Sequence, residues 1–104
     1  MTRRSDRETF RSAWSKATAQ SLATGRNLPY SALLVSIRPR GKTGQLHAPG
    51  GHFFAYCIKG RVRVALQEVP HELAAGDSIA VDQPRAAWEN AGRTGAEILV
   101  LAFR

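Results

Sequence analysis

Three histidines and one cysteine are the residues of this chain best suited to chemistry: His47, His52, His71 and Cys57. Imidazole suits first-row metals such as Fe, Ni and Zn, and tight binding needs several ligands converging on one face. In an extended chain, alternate residues point to the same side. Positions 47, 49 and 53 then share a side, and they carry His47, Pro49 and Phe53. That wall offers one imidazole and no carboxylate, too little to hold a divalent cation tightly. His52 has the opposite parity to His47 and Cys57, so a regular strand places it outside. A register change that turned it inward would make His47, His52 and Cys57 a rearranged set. His71 follows Pro70 in a bend and is expected in solvent.

Cys57 shares the parity of Phe53 and Ala55. A nucleophilic cysteine needs a base and an electropositive setting. His47 is the candidate base, but a buried cysteine more often acts as a small hydrophobe. Trp88 has the parity of Ala86 and is expected to line the same interior, with Trp14 covering one end. Asp77, in the turn Ala75-Gly76-Asp77, is expected to satisfy backbone amides. Gly50-Gly51 lacks the strand and helix context of a phosphate loop.

The elements that must position these residues read as short strands. From residue 31 onward, β-like runs alternate with turn signals, as in a sandwich or barrel. Ser31 to Arg38 is the first run, and Arg40-Gly41-Lys42-Thr43-Gly44 reads as a glycine-punctuated loop. Phe53 to Ile58 and Arg61 to Gln67 flank Lys59-Gly60 and read as a hairpin, its glycine supplying a positive φ. Val62, Val64 and Leu66 alternate with polar neighbours, the mark of a half-buried strand. Pro70 belongs at an edge or a bend. Ser78 to Val81, Ala86 to Asn90 and Ala96 to Phe103 complete the strands. Ser5 and Glu8 have the form of a capping box, so residues 6–17 are either helical or extended. Residues 18–24 favour strand.

The chain of 104 residues is one domain with one modest core. Its single cysteine excludes an internal disulfide and suits a reducing cytoplasm. Arg3 and Arg4 have no apolar run after them, so no signal peptide is read. No apolar stretch approaches the length of a membrane span. The net charge of +7 lies wholly in residues 1–45, where nine Lys/Arg face only Asp6 and Glu8. A basic lead-in is most simply a solvated arm, and it also suits an anionic partner. No nucleic-acid-binding motif of recognisable spacing is present.

Gly41, His47, Gly60 and Gly76-Asp77 stand at the spacings of the two short cupin motifs. The first motif reads G-x5-H-x-H-x3-E-x6-G, and here its places hold Gly41, His47, Pro49, Phe53 and Gly60. In the second, anchored at Asn90, the histidine place holds Ala86. Residues 29–104 thus resemble a small single-domain cupin. The resemblance is carried further by Phe54-Ala55-Tyr56-Cys57-Ile58-Lys59-Gly60-Arg61, Leu73-Ala74-Ala75-Gly76-Asp77-Ser78 and Trp88-Glu89-Asn90. It implies an all-β fold, a double-stranded β-helix or jelly-roll barrel, with residues 1–28 as a basic N-terminal lead-in. The chain is similar in particular to the C-terminal effector domains of helix-turn-helix regulators.

With Pro49, Phe53 and Ala86 in ligand places, neither a metal nor another cofactor is expected, and no catalytic residue is assigned. The expected function is metal-independent binding of a small apolar or aromatic ligand by a regulatory module. His47, Phe53, Cys57 and Trp88 would line its pocket. A homodimer and a helix-turn-helix partner domain are the expected associates, in the cytoplasm and away from membranes. Two alternatives stay open. One is a metal-dependent isomerase or dioxygenase using the rearranged set. The other is an interaction module acting through the basic arm.

Overall fold

The computed structural model describes residues 14–23 and 28–104. Among them there are ten β-strands and no helix. The strands are β1 (Ser15–Ala23), β2 (Tyr30–Lys42), β3 (Leu46–His47), β4 (Phe53–Lys59) and β5 (Arg61–Leu66). They continue as β6 (Val69–Ala74), β7 (Ser78–Val81), β8 (Arg85–Ala86), β9 (Trp88–Asn90) and β10 (Ala96–Phe103). One sheet runs β6-β5-β9-β2-β10-β4-β7, with β1 also paired to β2. All pairings are antiparallel. The sheet rolls so that β4 approaches β6 and β10 approaches β5, a nearly closed barrel. A separate two-stranded ladder, β3 with β8, pairs Leu46 with Ala86 and His47 with Arg85.

Alternation drives this roll. Along β10, Ala96, Ile98, Val100 and Ala102 are buried and their neighbours only partly so. Phe53, Ala55 and Cys57 are the buried residues of β4, and Val62 and Val64 those of β5. These residues join Val35, Ile37, Leu73, Val81 and Trp88 in a single core cluster. Each large apolar side chain so buried contributes about 1.5–3 kcal/mol.

Several expectations hold in detail. The strands Ser78–Val81 and Ala96–Phe103 have the expected bounds. Pro70 lies on β6, at an edge of the sheet. The Asp77 carboxylate accepts the Ala74 N–H at 2.9 Å. Of the stretch 6–17, residues 15–17 are strand, and 6–13, with the Ser5–Glu8 capping box, lie outside the described residues. Residues 15–23 therefore extend the barrel sheet.

Two expectations about local pairing are corrected. Phe53 to Gln67 is not a hairpin: β4 pairs with β10 and β7, whereas β5 pairs with β6 and β9. Gly60, at φ 77°, carries the chain from one part of the barrel to another. The local hairpin is β5–β6, turned by Gln67 at φ 51° and Glu68 at φ 68°. Positive φ at both central residues is the type I′ pattern. Neither residue is Gly, Asn or Asp, so composition did not mark the turn. The glycine-punctuated loop at 40–44 is also corrected, because β2 continues through Lys42.

Candidate functional site

Phe53, Cys57 and Trp88 meet in the core cluster, each 1 % exposed or less. They come from β4 and β9. Ala48 and Ala86, on and beside the small β3–β8 ladder, complete the same wall.

His47 is not with them. Leu46 is half-buried and Ala48 fully buried, whereas His47 is exposed on β3 opposite Arg85. The expectation that His47 faces the interior is corrected, and the reason is a turn. Gly51 N–H bonds the Ala48 carbonyl at 2.9 Å, and Gly51 has φ 87°. The chain between positions 47 and 53 is not extended, so parity does not carry across it. His52 is exposed, as expected. Its ring stacks on Phe103 with centroids 4.8 Å apart. His71 is exposed on β6.

The donor set does not fit a metal. The ligand places of the two motifs carry an exposed His47, an exposed Pro49, and the buried side chains of Phe53 and Ala86. The rearranged set is not assembled either, for His47 and His52 lie outside and Cys57 inside. Among the described residues no group of three or more His, Cys, Asp or Glu converges.

Cys57 donates from Sγ toward the carbonyls of Lys59 and Gly60, each at 3.6 Å. Burial pushes its thiol above the ordinary value, and the carboxylate of Asp77 adds to that. A buried thiol whose burial favours the protonated form is a poor nucleophile.

Polar order in the interior comes from Trp88 together with Thr43 and Asn90, two residues that the sequence did not assign to the site. Thr43 and Trp88 are bonded through Thr43 N–H to the Trp88 carbonyl at 2.8 Å and Trp88 N–H to Thr43 Oγ1 at 3.0 Å. Asn90 donates from Nδ2 to the carbonyls of Ile37 and Thr94 at 2.9 and 2.8 Å. Its Oδ1 accepts the Gly92 N–H at 2.7 Å. One buried side-chain atom among the described residues lacks a partner, the Trp88 Nε1. An indole N–H can only donate.

Outside the barrel two faces differ. Across β5, β6 and β9, Arg63 pairs with Glu72 at 2.8 Å and Glu89 at 2.9 Å, and Arg61 with Glu72 at 3.0 Å. The bond to Arg63 holds the Glu72 carboxyl below its ordinary range, and the two carboxylates raise Arg63. On the other face Phe54, Tyr56 and Ile58 of β4 are 38 %, 39 % and 46 % exposed. Leu101 and Leu99 stand directly beside Phe54 and Tyr56, and Leu34 beside Leu99.

No family model matches the chain, and no curated protein matches it. Solved structures do. A cupin-2 domain of an XRE family transcriptional regulator from Enterobacter cloacae superposes with a TM-score of 0.74 at 10 % identity. That match covers 86 % of this chain and 97 % of the other. A predicted oxalate decarboxylase from Thermotoga maritima gives 0.73 at 18 % identity over 84 % and 79 %. A cupin-superfamily sugar phosphate isomerase from Silicibacter pomeroyi gives 0.69 at 20 % identity over 86 % and 60 %. Identities this low speak for the fold alone.

Proposed function

We propose that this chain, a cupin by fold, is a metal-independent module that binds a small apolar or aromatic ligand and serves regulation. The observation that carries this reading is the unpartnered Trp88 Nε1. A buried donor without a partner is costly, and an acceptor on a ligand would relieve it. Phe53 and Cys57 belong with Trp88 to the apolar core cluster. Pockets with apolar walls and few oriented polar groups are the usual small-molecule sites. The ligand would enter by parting the β3–β8 ladder, which is only two residue pairs long. His47, exposed on that ladder, then stands at the entrance rather than inside.

The regulatory part of the reading is supported by the likeness to the regulator domain from Enterobacter cloacae. A helix-turn-helix partner domain fits it. The apolar outer face of β4 and β10 suits a second copy of the chain, because like faces bury one another. Ligand binding at Trp88 would act on that interface through β4.

The test is a thermal-shift series of small aromatic and aliphatic acids and ketones on the wild type and Trp88→Phe. At least one compound should raise the wild-type melting temperature, and Trp88→Phe should lose most of the rise. Equal shifts in both proteins, or none in the wild type, would overturn the reading.

A further inference from the structure

An open groove of about 420 Å³ is lined by Trp14 and by residues of β1 and β2. That volume is within the range of small-ligand sites. Its floor is apolar: Trp14 and Ala17 are half-buried and pack against the core. Lys16 and Arg38 line it as exposed cations, and Thr18 and Ser36, cross-strand partners, add hydroxyls. Neither cation has an ion-pair partner among the described residues, whereas Arg61 and Arg63 are both engaged.

The groove is built by a backbone feature. The β1–β2 register shifts between Ser15 and Ala17, and Lys16 at the shift has φ 54°. A left-handed lysine is uncommon and persists where its surroundings fix it. Gly41 fixes it from β2. A Cβ there would lie 2.7 Å from the Lys16 carbonyl oxygen and 2.8 Å from those of Ser15 and Arg38. Glycine therefore lets β1 press onto β2 at the point where Lys16 is turned to the groove.

We propose that this groove is a second binding site, for a small anion bearing a flat ring. The ring lies on Trp14, and the negative group sits between Lys16 and Arg38 with Thr18 and Ser36 as hydroxyl donors. Charge selects this occupant: Lys16 and Arg38 line the groove as cations, and no carboxylate lines it among the described residues. The site does not depend on the interior site at Trp88. An aryl carboxylate, an aryl phosphate and a nucleoside monophosphate share the required chemistry.

Titration of the full chain with benzoate, phenyl phosphate and adenosine monophosphate, followed by two-dimensional amide NMR at low salt, tests the proposal and ranks the three sources. Inorganic phosphate is the arm without a ring and phenol the arm without charge. The ring-bearing anions should saturate, moving the Trp14 indole and Ser36 signals, and should bind more tightly than either control. Lys16→Asn with Arg38→Gln should weaken them about tenfold, and about 0.5 M salt should weaken them in the wild type. Asparagine is chosen at position 16 because it tolerates positive φ. Both changes are at exposed residues, and the amide spectrum reports whether the variant is folded. Trp14→Leu should weaken the ring-bearing anions about fivefold or more and leave inorganic phosphate unchanged. The proposal is overturned if no ring-bearing anion saturates, or if the folded double variant binds as the wild type does. It is also overturned if Arg61→Gln weakens binding equally, which would mean diffuse attraction. A thymidine oligonucleotide whose affinity grows with length beyond that of the small probes would reassign the groove to polynucleotide and overturn it too.

Discussion

Thr43 and Trp88, distant in sequence, are held to each other by two hydrogen bonds, one in each direction. One of them uses the Thr43 hydroxyl, which is buried and accepts the Trp88 N–H. Thr43→Val keeps the shape and leaves that N–H without an acceptor. The variant should lose about 1–3 kcal/mol of stability in urea unfolding, and Thr43→Ser clearly less. Equal losses in the two variants would show that the methyl group matters there as much as the hydroxyl.

Asn90 closes three hydrogen bonds with one side chain, tying β9 to β2 and ordering the 90–94 loop. Asn90→Ala strands the Ile37 and Thr94 carbonyls and the Gly92 N–H. The expected cost is about 2–4 kcal/mol by chemical denaturation. Hydrogen exchange should also rise at Gly92.

Gly41 and Gly76 should respond differently to alanine. At Gly41 the added Cβ meets three backbone carbonyl oxygens at 2.7–2.8 Å, and backbone cannot step aside. Gly41→Ala should cost more than about 2 kcal/mol and shift the amide signals of residues 15–17. At Gly76, φ is 94° and nothing lies within 4 Å of a new Cβ. Only the conformational penalty remains, about 1–2 kcal/mol, without spectral change outside the turn.

Cys57 makes the folded chain resist alkali less well than its core alone would. Its thiol is pushed up by burial, so the folded state binds that proton more tightly than the unfolded state. The resulting stability is complete below the ordinary thiol range and is lost as pH rises through it toward the folded value. Urea midpoints of the wild type and Cys57→Ala, compared at neutral and alkaline pH, should converge as pH rises. A constant gap between them would remove Cys57 from the account.

The exposed row Phe54, Tyr56 and Ile58 should govern self-association. Tyr56→Glu puts a charge in the middle of the apolar face at a side chain already 39 % exposed. Sedimentation should show the wild type as a dimer and this variant as a monomer with unchanged circular dichroism. A dimer in both would move the interface elsewhere.

The strands were legible where the pattern is local. Val62, Val64 and Leu66 alternate cleanly, and Ala96 to Phe103 is apolar but for Glu97 and follows a glycine loop. Partners were not legible, because β4 finds β10 some forty residues away rather than the neighbouring β5. The site was half legible for the same kind of reason. Parity from residue 53 through 57 runs along one strand and puts Phe53 and Cys57 inside. Parity from 47 to 53 crosses the turn at 48–51 and fails at His47. The β1–β2 groove had no sequence signal beyond excess charge, since it depends on a register shift at Lys16.

Pro70 has a consequence for how molecules of this chain meet. It lies in the edge strand β6, where its ring offers no N–H to an incoming strand. The charge of Glu68 and the exposed ring of His71 further discourage a strand arriving there. Growth of the sheet by adding molecules along that rim is blocked. An open rim of that kind would instead let contacts propagate from molecule to molecule as fibres.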